Sequence, residues 1–102
     1  MSKEVVQIVL PLSVPKEFAL EQNYPNPFNP TTNFKFQIAQ NGFVSLKVFD
    51  EIGREVATIV NENLEAGYYN YTWDASNLPS GMYIYRLTTN NFTDAKRLML
   101  VK

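Results

Sequence analysis

Neither cysteine nor histidine occurs in the 102 residues. Without them there is no thiol nucleophile, no Ser-His-Asp or Cys-His arrangement, no disulfide and no ordinary zinc site. The missing cysteine does not fix the compartment, because exported proteins without cysteine exist. An excess of one charge is missing too. Nine Lys and Arg against ten Asp and Glu give a net charge of −1, which leaves no broad basic surface for nucleic acid. Long hydrophobic runs are also lacking. The longest near the start, Val5-Val6-Gln7-Ile8-Val9-Leu10-Pro11-Leu12, falls far short of the ~20 residues of a membrane-spanning helix. It makes a poor signal peptide, because Lys3 and Glu4 cancel, Gln7 and Pro11 interrupt it, and no small-residue cleavage site follows. A module cut from a longer protein is expected to begin this way.

Hydrophobic residues make up 45% and charged residues 19%, the balance of a folded domain rather than a disordered chain. The length suits one domain. Aromatics reach 14%, which leans toward β structure.

Short stretches alternate between apolar and polar. Phe34, Phe36 and Ile38 form one such row, Val44, Leu46 and Val48 a second. Tyr69, Tyr71 and Trp73 form a third, Tyr83, Tyr85 and Leu87 a fourth. Period two marks half-buried strands. Turn residues separate the rows: Gln40-Asn41-Gly42 reads as a hairpin, followed by Glu51-Ile52-Gly53, Glu65-Ala66-Gly67, Pro79-Ser80-Gly81 and Asn90-Asn91. Strands are expected near 18–23, 32–39, 43–50, 54–60, 68–74, 82–89 and 92–101. Strands this short and this closely spaced predict an all-β, seven-stranded antiparallel immunoglobulin-like β-sandwich. Residues 1–17 read equally as a linker or an extra N-terminal edge strand, leaving 18–102 as the domain. The expected core is Phe34, Phe36, Ile38, Val44, Leu46, Val48, Trp73, Tyr83, Tyr85 and Leu87.

Tyr24-Pro25-Asn26-Pro27-Phe28-Asn29-Pro30 stands apart. Its three prolines restrict a loop that would otherwise be floppy, and its asparagines can cap backbone groups. Tyr24 and Phe28 are expected to tuck into the end of the sandwich as a plug. The loop reads as a structural closure or as a contact surface.

From Gln22 to Thr32 this stretch resembles the opening of the C-terminal sorting domain of the type IX (Por) secretion system. The likeness continues through Val44–Asp50, Gly53–Ala57, Glu65–Gly67 and Ser80–Leu87, and ends on Lys96–Lys102. A related immunoglobulin-like domain of flagellar hook-capping proteins usually carries Trp-Asp-Gly where this chain has Trp73-Asp74-Ala75, so the sorting domain fits better. The resemblance implies a non-catalytic domain without a cofactor, carried by a larger cargo of a Bacteroidetes-type bacterium. Such cargo is expected to be exported, to pass through the periplasm, and to reach the outer-membrane surface or the medium. The implied partners are the outer-membrane translocon and a sortase-like protease, with the domain itself a monomer. A carbohydrate-binding or other accessory module, or a hook-cap-like assembly domain, is the alternative.

Candidate recognition residues are Gly81, Tyr83, Lys96, Arg97, Leu98, Leu100 and Lys102, together with the loop Tyr24–Pro30. Gly81 allows a sharp turn, and Tyr83 is expected to pack inward with its hydroxyl on nearby backbone, as in a tyrosine corner. Lys96–Lys102 reads as an edge strand whose charges guard against aggregation, or as an exposed docking strand for a partner. As an open edge, it is expected to tolerate loss of Leu100–Lys102 without unfolding of the sandwich. The carboxylates show no paired grouping for glycoside hydrolysis. Asp74-Ala75-Ser76-Asn77 fits a turn better than a calcium loop. Phe43, Phe49 and Tyr68 are candidates for a sugar platform or for cover on a second sheet face.

Overall fold

The computed structural model describes residues 14–102 in full and residues 4–8 by their backbone. Among the described residues there is no helix. The strands are β1 (Glu4–Ile8), β2 (Ala19–Leu20), β3 (Thr31–Ile38), β4 (Gly42–Phe49), β5 (Glu55–Leu64), β6 (Gly67–Asp74), β7 (Gly81–Thr88) and β8 (Thr93–Leu100). They form two four-stranded sheets, ordered β1-β6-β3-β2 and β5-β4-β7-β8, and every named strand pair is antiparallel. The arrangement is the expected all-β sandwich. β1 runs along the outer edge of β6.

The alternating rows are what join the sheets. All ten residues expected in the core are buried, at 0–4% exposure. Leu20, Phe28, Ile59, Val60, Tyr69, Tyr71, Ala75, Leu98 and Leu100 join them. Aromatic pairs fill the centre: Phe34 lies 4.8 Å from Tyr85 and 5.9 Å from Trp73, and Phe36 stacks on Tyr69 and Tyr71. Offset and tilted ring pairs at these spacings add to the burial term.

The hairpin expected at Asn41-Gly42 does not form. β3 and β4 lie in opposite sheets, so the segment crosses between them. Gly42 is absent from the positive-φ residues, which are Gly53 and Gly81. Asn41 instead uses its side chain, accepting the Ala66 amide at 2.8 Å. The β4–β5 hairpin closes on Asp50: its Oδ1 accepts the amides of Ile52 and Arg54, while Gly53 takes φ 91°. These bonds, the Arg54 amide foremost, hold the Asp50 carboxyl below its usual range.

Two buried tyrosines behave oppositely. The Tyr85 hydroxyl donates to the Glu21 carbonyl and accepts the Asn23 amide, both at 2.7 Å. Among the described residues the Tyr71 hydroxyl is buried with no partner. Burial pushes both phenols up to about 12. Tyr85→Phe strands the Asn23 amide and is expected to cost about 1–3 kcal/mol, whereas Tyr71→Phe removes an unpaired group and is expected to be neutral or stabilising. Urea unfolding of the two variants checks this. A larger loss for Tyr71→Phe than for Tyr85→Phe would contradict the hydrogen-bond assignment.

Candidate recognition surface

β8 occupies one edge of its sheet, with β7 on one side only. An edge strand leaves every second backbone group unpaired. Here the 22–30 segment takes up those from Arg97 to Val101. Phe28 donates its amide to the Met99 carbonyl, and its own carbonyl accepts the Val101 amide, both at 2.9 Å. The Asn26 Oδ1 accepts the Met99 amide at 2.9 Å, and the Gln22 Nε2 donates to the Arg97 carbonyl at 2.7 Å. Phe28 and Leu100 thus make an isolated parallel bridge. The open docking edge expected over residues 96–102 is not there between Arg97 and Val101. Two side-chain amides and a short stretch of proline-rich backbone already complete that part of the strand.

The loop is itself fixed from below. Asn23 is buried, and its Nδ2 donates to the Pro25 carbonyl at 3.1 Å and the Thr32 hydroxyl at 3.0 Å. Thr32, also buried, donates to the Pro25 carbonyl at 2.8 Å. Both peptide bonds Tyr24-Pro25 and Asn26-Pro27 are cis. The Ala75 amide donates to the Pro30 carbonyl at 2.9 Å, which ties the loop to the end of β6.

The expected plug is half right. Phe28 is buried, 5.9 Å from Trp73. Tyr24 is 78% exposed. It bridges antiparallel to Asn33, and residues opposite one another in such a pair point to the same face. Asn33 lies between buried Thr32 and Phe34, so it and Tyr24 face outward.

The other candidates divide between core and surface. Leu98 and Leu100 are buried beside the β7 row of Tyr83 and Tyr85, so they act through packing. Tyr83 is buried and donates its hydroxyl to the Pro79 carbonyl at 2.6 Å, the contact expected of a tyrosine corner. Gly81 has φ 151°. Lys96 lies 4.0 Å from Asp94. Arg97 is exposed. Lys102 is anchored, its Nζ donating to the Ser76 carbonyl at 2.7 Å and its amide to the Ser80 hydroxyl at 3.1 Å. Pro25, Asn26, Pro27 and Asn29 line the exposed outer side of the loop.

Buried Asn23 and Thr32 and the side chain of Gln22 escaped the sequence reading, although all three flank or open the motif. Asp74 forms the expected turn, its Oδ1 accepting the Ser76 amide at 2.8 Å. Among the described residues no cluster of His, Cys, Asp or Glu is gathered to hold a metal. Phe43, Phe49 and Tyr68 make no common platform. The first two lie on β4 and the third on β6 of the other sheet, and Phe49 is capped by Arg86 at 4.6 Å.

The described residues thus form an immunoglobulin-like sandwich whose proline-rich loop is hydrogen-bonded along its last strand. Residues 22–102 match the family described as the secretion system C-terminal sorting domain, and the chain belongs to that family. It is a C-terminal sorting signal for type IX secretion, of a family whose domains are non-catalytic. That places it on a secreted protein bound for the cell surface or the extracellular space, and in contact with the secretion machinery. No curated protein matches the chain.

Proposed function

We propose that the secretion machinery reads this domain folded, in the periplasm, through the composite surface made by the Tyr24–Pro30 loop and β8. The outer-membrane translocon is the reader, and a sortase-like protease then separates the domain from its cargo. The observation that carries this reading is the hydrogen-bonded join between loop and strand. It brings the motif at residues 22–32 and the motif at residues 96–102 onto one surface, although more than sixty residues separate them. Arg97 supplies charge beside that join; Leu98, Leu100 and Tyr83 hold the strand in place. Exposed charges steer encounter and set register more than they add affinity.

A periplasmic reporter fused ahead of the chain, in a host with this export system, tests the proposal. The fusion is expected on the surface or in the medium, and the reporter alone in the periplasm. Equal retention of both in the periplasm would overturn it.

A further inference from the structure

Strand addition is blunted at both edges of the β5-β4-β7-β8 sheet. The loop occupies the β8 edge from Arg97 to Val101. β5 meets β4 with two register shifts, between Leu46 and Lys47 and between Val48 and Phe49. Such bulges bend an edge away from a new strand. What this sheet offers a partner is therefore its outer face.

On the outer face of the other sheet, β3 and β6 present mainly polar side chains, Asn33, Lys35, Gln37, Asn70 and Thr72, together with Tyr68. In β7 the buried residues are Tyr83, Tyr85 and Leu87, so Met82, Ile84 and Arg86 point outward. Across the strands, Ile84 sits between Phe49 and Arg97, and Met82 lies beside Met99. Ile84 is 37% exposed. Arg86 lies over the Phe49 ring at 4.6 Å. Among the described residues neither Arg86 nor Arg97 has a carboxylate in ion-pair range; the neighbouring Lys47 is paired with Glu55 at 3.4 Å. An apolar strip flanked by two uncompensated guanidinium groups selects against a basic or purely apolar partner and favours carboxylates beside apolar side chains.

We infer that this face, centred on Ile84 with Arg86 and Arg97 beside it, is where an acidic, partly apolar protein surface of the secretion machinery docks. The inference rests on the sorting reading and adds to it a second contact region, the outer face of β7 and β8. Met82 continues the strip into a cleft of about 360 Å³ lined by Val56, Leu78, Pro79 and Tyr83 and also by Asp50, Glu51 and Arg54. The cleft can take one apolar side chain from the same partner.

The test uses the reporter fused to the full chain. R86E/R97E is expected to lower the surface fraction about tenfold or more, the scale of one lost charge-assisted contact. R86K/R97K keeps the charge and is expected to retain most export. K35E, on the other sheet's outer face, is expected to export as the parent does. Thermal unfolding of each purified chain accompanies the fractionation; if R86E/R97E melts below the growth temperature, R86Q/R97Q is read in its place. Normal export of the reversed variant overturns this face while leaving the sorting function standing. Failure of the parent fusion overturns both. An equal loss in K35E assigns the effect to net charge and overturns the inference. Sedimentation with phosphatidylglycerol vesicles separates the remaining case. Binding by the parent that R86E/R97E abolishes would assign the face to anionic lipid and overturn the protein partner.

Discussion

Trp73→Ala is expected to destabilise the domain by about 3–5 kcal/mol, the range for deleting a large buried aromatic side chain. Trp73 is 3% exposed and lies opposite Thr32 on the neighbouring strand. Its ring contacts Phe28 and Phe34, both at 5.9 Å between centroids. Deleting it therefore opens a cavity between the β-sheet core and the proline-rich loop. Phe28→Ala approaches the same cavity from the loop side, and because the two rings touch, the double variant is expected to cost less than the sum. Denaturant unfolding measures all three. A loss below about 1 kcal/mol for Trp73→Ala would mean that the residue is not packed as described.

Removing residues 100–102 is expected to cripple the fold, not just the signal. Seen as an open edge, the end of β8 looked expendable. In the folded domain Leu100 is fully buried and bridges Phe28. The Val101 amide is bonded to the Phe28 carbonyl, and Lys102 to Ser76 and Ser80. Loss of a buried leucine alone costs about 2–5 kcal/mol. For a domain of this size each 1 kcal/mol lowers the melting temperature by about 4–8 °C. The truncated chain is thus expected to melt at least about 10 °C below the parent, or to lose its cooperative transition. A truncated chain melting with the parent would show that the loop, without its strand partner, stabilises itself. The milder removal of Val101 and Lys102 keeps Leu100 and is expected to fall between the two.

The parts of this architecture that were legible in the sequence are those set by local periodicity. Rows such as Val44, Leu46, Val48 and Tyr83, Tyr85, Leu87 are half-buried, and half-burial writes itself as alternation. β5 was read too short because its bulges put Ile59 and Val60 in the core side by side, which breaks the period. β2 was read too long. It keeps regular pairing only at Ala19 and Leu20, before the chain turns into the proline-rich loop. Asn41-Gly42 misled because an Asn-Gly pair signals a hairpin only when the flanking strands share a sheet.

The candidate surface was legible as motifs and not as a unit. That residues 22–32 and 96–102 both belong to a family pattern was visible in their resemblance. That they touch was not, because Asn26 and the Met99 amide lie 73 residues apart. The asparagines were expected to cap backbone, which is what Asn26 does, but on a distant strand. Buried Asn23 and Thr32 look like any polar loop residues until their partners are placed. Arg86 lies within the Ser80–Leu87 stretch, but only the register of β7 against β4 and β8 sets it facing outward beside Phe49 and near Arg97.

Everything proposed for recognition depends on the β8 edge being occupied by the loop, and native-state hydrogen exchange of the purified chain reads that directly. The Met99 and Val101 amides point away from β7 toward Asn26 and Phe28. They are expected to exchange as slowly as the Leu98 and Leu100 region of the β7–β8 ladder, through global unfolding. Rapid exchange at Met99 and Val101 with slow exchange in the rest of β8 would show an open edge, and would contradict the account.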